Sequence, residues 1–290
     1  MCRAHSHNDY HQVNPLSSAL KHGLKSVEVD VFPRKNGLWV GHTVFELNPK
    51  RTIESLYIEP LLRIFKSEKD SNKEHQRQHG LSYSQIFPTT PLSVNDYPRG
   101  GGGGGFDRRR ELRARQRLPP VNDLNLLVDI KGSPDEAAKL LQAALSPLRP
   151  FLSKVDRKGV FRHGRLTVIV SGCRPCPASL QSSNGERFLF LDGRVKDIHA
   201  NADTHLVPLV SLPWRHVRLA RAVGRGESYM RRLSDKAHAQ GKLVRIWGAP
   251  NHEKSWHKRV KGNIDLLSID DHAKFARFVA GKQQQNEEQR

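Results

Sequence analysis

The chain has 290 residues, 37% of them hydrophobic, with a mean hydropathy of −0.62. That suffices for one large domain or two small ones, and no apolar run approaches the roughly 18 residues of a membrane-spanning helix. Lys and Arg number 48 against 29 Asp and Glu, a net charge of +19 that favours anionic partners: phosphates, acidic lipid surfaces or nucleic acid.

Residues 14–23, NPLSSALKHG, read as a helix with Asn14 at the N-cap, Pro15 at the first helical position and Gly23 as the stop. Leu16, Ala19 and Leu20 form its apolar face. SVEVDVF, 26–32, follows as a strand. Side chains alternate along a strand, so Val27, Val29 and Val31 share one face and Glu28 and Asp30 the other. PRKNG turns the chain into a second short strand within GLWVGHT, 37–43.

Residues 67–123 break this pattern with a polar charged run, glycines at 100–105 and the basic stretch RRRELRARQR. Such a composition cannot bury enough apolar area to fold alone. It reads as a disordered low-complexity insertion or as translated non-coding sequence. It carries 10 Lys and Arg against 7 Asp and Glu, so most of the net charge is spread over the rest of the chain. Arginines without interleaved aromatics or Arg-Gly-Gly repeats disfavour a nucleic-acid-binding arm.

Order resumes with the apolar strand LNLLVDIKG, 124–132, and a capping box at Ser133-Pro-Asp-Glu136 that opens a helix through Leu148. RLTVIVSG, 165–172, is another buried strand, and 187–193 and 206–211 compete for the next. A helix at 227–240 stops at Gly241. Strands at 242–248 and 263–271 and a final helix through Phe278 complete the series. Fully apolar strands alternating with helices imply a parallel sheet. Seven or eight of them point to an α/β fold, a (β/α)8 TIM barrel over 1–66 and 124–280, with 281–290 as a polar tail. No GxGxxG turn follows the first strand, which argues against an open doubly wound sheet. Only four residues precede His5, so the first strand is expected to be incomplete. The insertion falls between the third and fourth strands, where a long loop would cover or obstruct the mouth.

Functional groups of such barrels gather at the C-terminal ends of the strands, where this chain carries His5, Glu28, Asp30, His42, Asp129, Lys131, Ser171, Trp247 and Asp270. Adjacent interior carboxylates repel and need a cation. Oxygen ligands suit Mg²⁺ or Ca²⁺, with Asp129 as a third ligand from another strand. His5 and His42 are placed to share general acid and general base work. The plainer readings are a solvated edge strand for Glu28 and Asp30, and caps of the final helix for Asp270 and Asp271. Cys2, Cys173 and Cys176 are too few for a disulfide framework, and CRPC has no second CxxC or CxxH to complete a zinc site.

AHSHNDY, SVEVDV, WVGH and LLVDIK, in that order, resemble the phospholipase C-like phosphodiesterase superfamily. That group includes glycerophosphodiester phosphodiesterases, bacterial phosphatidylinositol phospholipase C and spider-venom sphingomyelinases D. Within it, NPLSSAL, SLYIEPL, VSGCRP with FLDGR, VPLVS, VRIWGAP and IDLLSIDD are similar to the altered inheritance of mitochondria protein 6-like family. The resemblance implies a TIM barrel holding one divalent cation, Mg²⁺ before Ca²⁺, on Glu28, Asp30 and Asp129. It implies His5 and His42 as the catalytic pair with His7 as the alternative to His5, Lys131 on the phosphate, Asn8 orienting a histidine or the phosphate, and Trp247 as a pocket wall.

The activity so implied is phosphoric diester hydrolysis on a phospholipid or glycerophosphodiester, often through attack by a neighbouring substrate hydroxyl that leaves a cyclic phosphate. One alternative is a catalytically inactive member that binds anionic lipid or phosphate ligands. Another, an amidohydrolase-like barrel using His5 and His7 as metal ligands, lacks histidines on its later strands. A monomer is expected, in peripheral contact with anionic membrane and not with nucleic acid. No apolar signal core follows Met1; a leader or anchor of the kind common in such proteins would make the protein secreted or membrane-associated.

Overall fold

The computed structural model describes residues 3–68, 124–222 and 224–287. Its strands, in chain order, are β1 Arg3–Ser6, β2 Ser26–Arg34, β3 Gly37–Val40, β4 Leu124–Ile130, β5 Lys154–Val155, β6 Phe161–Arg162, β7 Leu166–Gly172, β8 Leu189–Gly193, β9 Leu209–Pro213, β10 Leu243–Trp247 and β11 Leu266–Ile269. Eight are parallel neighbours in the order β1-β11-β10-β9-β8-β7-β4-β2, and β1 also pairs with β2, so the sheet closes into a (β/α)8 barrel. Parallel neighbours need crossover connections, and helices such as Pro134–Ala144, Val195–His199, Trp214–Ala222, Gly226–His238 and Glu253–Lys261 supply them.

The inward faces explain the architecture. Leu127, Ile169, Phe190, Leu209 and Leu266, one from each of five staves, pack as a small apolar cluster of their own. Two residues further along the same faces stand Asp129, Ser171, Asp192, Ser211 and Ser268; on β10 Leu243 gives way to Arg245 in the same step. Each stave is thus apolar at the bottom of the barrel and polar toward its C-terminal end. On the outer faces, Val27, Val29 and Val31 are fully buried in the large core beneath the helices, together with Ala137, Ala138 and Leu141.

Several expectations are corrected by packing. β1 is only four residues long, yet it pairs with β11 over all four and with β2 over two, so it closes the barrel in full. β3 is the antiparallel arm of a hairpin on β2 and not a stave. The first helix spans Ser17–Lys21 and not Pro15 onward, because the Asp9 carboxylate accepts the Leu16 N–H at 2.6 Å and holds Leu16 at φ 60°. Gly23, at φ 72°, does terminate it. Ser133 precedes a helix with Pro at its first position, but its side chain makes no cap bond; Asp135 instead accepts the Cys176 N–H. Both 187–193 and 206–211 yield strands, so the two candidates did not compete. The last helix runs past Phe278 through His272–Glu287.

The stretch expected to be disordered lies outside the described residues from 69 to 123. Residues 53–68 are helical, with a π-helical segment at Glu54–Ile58. Glu68 pairs with Arg165 just before β7, and the Leu124 N–H donates to the Arg165 carbonyl. Both flanks of the stretch therefore stand at the N-terminal end of the barrel, while the expectation that a long loop there covers or obstructs the mouth falls on residues outside those described.

Candidate active site

Parallel register sets Asp30 of β2 directly beside Asp129 of β4, and Glu28 lies one step lower on the same face as Asp30. An oxygen from each of Glu28, Asp30 and Asp129 falls within 4.8 Å of the others. The three acids differ in their surroundings. Glu28 Oε2 accepts from Arg245 Nη2 at 2.6 Å and meets His5 Nε2 at 3.2 Å. Burial alone would raise its carboxyl, but the Arg245 guanidinium and His5 outweigh that and hold it well below the usual carboxylate range. Asp30 goes the other way. Burial, together with the charges of Asp129 and Glu28, pushes it up in spite of Lys131.

Lys131 places Nζ 2.8 Å from Asp129 Oδ1 and 3.3 Å from Asp30 Oδ2. Desolvation would lower its pKa, yet these carboxylates raise it. Three converging carboxylates with an uncompensated excess of negative charge fit a hard divalent cation, and no thiolate or imidazole in the cluster favours a softer metal.

His42 and His7 stand on either side of the acids. His42 Nδ1 lies 3.0 Å from Asp30 Oδ2, with the Tyr10 hydroxyl at 3.4 Å. Its loop is pinned by the His42 N–H to Glu46 Oε2 at 2.8 Å. His7 Nδ1 lies 2.9 Å from Asp270 Oδ1, and Asn251 Nδ2 donates to the other oxygen of Asp270 at 2.7 Å. Burial lowers the His7 pKa, but the Asp270 hydrogen bond and the charge of Glu28 more than reverse this. In both histidines Nδ1 is engaged by a carboxylate and Nε2 is left for a ligand.

His5 is not part of the pocket. It lies within β1, two residues before His7, which follows the strand's end; His5 is fully buried, with Nδ1 2.7 Å from Ser26 Oγ and Nε2 on Glu28. Burial and the nearby charge of Arg245 lower its pKa to about 4, so it is neutral and closed to solvent. The alternative histidine of the motif, His7, takes the place expected of His5. Asp270 is likewise not a cap: it holds His7, while Asp271 Oδ1 accepts the Lys274 N–H of the final helix.

A cavity of about 630 Å³ opens over the acids, within the range of small-molecule sites. His7, Asn8, His42 and Lys131 line it on one side, Trp247 on another, and Arg194 and Arg215 across it. Ser171 lies at its floor and donates to Asp192 Oδ2 at 2.7 Å. Sequence reasoning missed Arg245, Arg194 and Arg215, and it placed Asp270 at a strand end but favoured a cap for it. Arg245 was findable, since it shares an inward face with Leu243 and Trp247.

Fold and site together define a (β/α)8 barrel with an acid-bearing, histidine-flanked mouth. Residues 1–94, which supply His7, Glu28, Asp30 and His42, match the family model of the AIM6-like phosphodiesterase domain. The chain is 28% identical over 292 residues to the altered inheritance of mitochondria protein 6 homolog of Arthroderma benhamiae, covering 92% of this chain and 80% of that protein. It is 27% identical over 304 residues to altered inheritance of mitochondria protein 6 of Eremothecium gossypii, covering 96% and 69%. The resemblance read from the motifs therefore stands. Among solved structures, a glycerophosphodiester phosphodiesterase from Parabacteroides distasonis aligns over 98% of each chain with 11% identity and a TM-score of 0.48.

Proposed function

We propose that the protein is a phosphoric diester hydrolase acting on a phospholipid or glycerophosphodiester. The observation that carries this reading is the gathering of Glu28, Asp30 and Asp129 within 4.8 Å, between two histidines each held by a carboxylate.

A divalent cation on the three carboxylates would supply Lewis-acid stabilisation of charge on the phosphoryl oxygens. The remaining work falls to side chains of this chain. Asp270 and Asp30 fix the tautomers of His7 and His42, so that each presents Nε2 to the cavity. One imidazole takes the proton of the attacking hydroxyl, and the other returns a proton to the leaving oxygen. Lys131 adds positive charge beside the phosphate. Trp247, 41% exposed, offers an apolar wall to the leaving group.

The test is hydrolysis of glycerophosphodiesters, phosphatidylinositol and lysophospholipids with Mg²⁺, with Ca²⁺ and with chelator, in wild type and Glu28→Gln. Metal-dependent turnover lost in the variant is the expected result. Absence of turnover from folded protein with every substrate and both metals would overturn the hydrolase reading and leave a phosphate-binding barrel.

A further inference from the structure

The cavity is electrically two-sided. Its only lining acids among the described residues are Glu28, Asp30 and Asp129, on β2 and β4. Five cationic side chains line it: Lys131, Arg194, Lys196, Arg215 and Arg245. Two of these are already spoken for. Lys131 sits on Asp30 and Asp129, and Arg245 on Glu28. The other three follow β8 and β9. In the closed order β8 is four staves from β1, and β9 is four staves from β2. Arg194 and Lys196 thus follow the stave opposite that of His7, and Arg215 the stave opposite that of Glu28 and Asp30, while β8 lies two staves from the β4 of Asp129.

Among the described residues one carboxylate reaches this second group, the buried Asp192 at 3.5 Å from Arg194. Lys196 and Arg215 are exposed, and neither has an acidic partner within ion-pair distance among the described residues. Asp197, beside Lys196 in sequence, is taken by Arg174 at 3.0 Å and by the Arg194 N–H at 2.6 Å. The Arg194 guanidinium makes only long contacts, 3.3–3.5 Å, to backbone carbonyls and to the buried Asp192. A phosphodiester carries one negative charge, which Lys131 and a cation held by Glu28, Asp30 and Asp129 would accommodate. It leaves the far side unmatched.

The geometry points to a second anion subsite formed by Arg194, Lys196 and Arg215, and so to a substrate whose headgroup carries a phosphate monoester besides the scissile diester. This deepens the phosphodiesterase reading and rests on it for the chemistry. Arginine fork geometry suits a phosphate dianion, and electrostatic complementarity across a cleft selects among otherwise similar ligands.

The experiment compares glycerophosphoinositol with glycerophosphoinositol 4-phosphate. Wild type is expected to prefer the phosphorylated substrate by roughly tenfold or more in kcat/KM, chiefly through KM. The Arg215→Ala/Lys196→Ala double variant is expected to bring the ratio close to one, and Arg215→Lys to keep part of it. Equal kcat/KM in wild type, or an undiminished preference in the double variant, overturns the subsite. Titration calorimetry of the same two compounds in chelator separates this from failure of the hydrolase reading. With no turnover at all, tighter binding of the 4-phosphate that is lost in the double variant still supports the subsite, and equal binding of the two compounds removes it.

Discussion

His7 and Asp270 meet at 2.9 Å across the seam where β1 closes on β11. One comes from the start of the described chain and the other from its last stave, so the imidazole is aimed by barrel closure and not by its own loop. Asp270 is itself held by Asn251, which also accepts from Trp256 Nε1 at 3.1 Å and so roots the dyad in the core.

Asp270→Asn is expected to leave the fold intact and to lower kcat by roughly 10- to 100-fold, because the amide no longer favours the productive tautomer. The carboxylate raises the His7 pKa. Its removal therefore moves the His7 limb of the pH–kcat/KM profile to lower pH, whether that histidine acts as acid or base. An unmoved limb would separate Asp270 from the chemistry.

Arg245 and Glu28 form a buried pair at 2.6 Å, with side chains 3% and 5% exposed. Arg245→Met leaves the carboxylate without its main compensating charge, and a loss on the order of 3–5 kcal/mol in urea unfolding is expected. Adding Glu28→Gln to that variant should recover a large part of the loss, since it removes the stranded charge. His7→Gln, at the open mouth, is expected to change stability by under about 1 kcal/mol while abolishing turnover.

Gly172 ends β7 at φ 68°, and a Cβ there would stand 2.3 Å from Asp129 Oδ1 and 2.5 Å from the Ile130 carbonyl oxygen. Gly172→Ala is expected to displace Asp129 and to weaken divalent-cation binding, read by calorimetric titration, by roughly tenfold or more. Gly23→Ala is the control. Gly23 shares the conformation, at φ 72°, but has open space where its Cβ would lie, so it bears backbone strain of about 1 kcal/mol alone. Equal metal affinity in the two variants would count against Asp129 as a ligand.

His272 opens the final helix almost wholly buried, its ring nitrogens 2.8 Å from Ser6 Oγ and 2.9 Å from Ser18 Oγ. Burial, and then the facing His22 ring, lower its pKa from 6.5 to about 4, against the opposing charges of Asp271 and Asp270. Above pH 6.5 neither folded nor unfolded chain protonates it and its contribution is intact. As pH falls from 6.5 to 4 only the unfolded chain takes up the proton, and on the order of 3 kcal/mol is lost. His272→Gln is expected to flatten the urea midpoint over that window. An unchanged slope would move the acid sensitivity elsewhere.

The barrel and its acids were legible because alternation is a local signal. Val27, Val29 and Val31 against Glu28 and Asp30 tell a strand with a core face and a site face, and LLVDIK repeats the message. The choice between His5 and His7 was not legible, for they stand two residues apart and only the point where β1 ends in the closed sheet, at Ser6, separates a buried histidine from one at the mouth. Asp270 was hidden by its neighbour: two acids ahead of a helix read as caps, and only the pairing of β1 with β11 shows that one of them turns to His7. The start of the first helix failed for a similar reason, since the Asp9 carboxylate that fixes Leu16 competes with an Asn-Pro signal that is sound in isolation.

Glu68 and Leu124 both stand beside Arg165, on the far side of the barrel from the cavity. Across that joint β2 and β4 keep six residues in register, Ser26 with Asn125 through Val31 with Ile130. The register that sets Asp30 beside Asp129 thus begins near that joint and runs from there to the mouth. A label or a tether fixed beside Glu68 would therefore be attached at the end of the barrel away from the mouth.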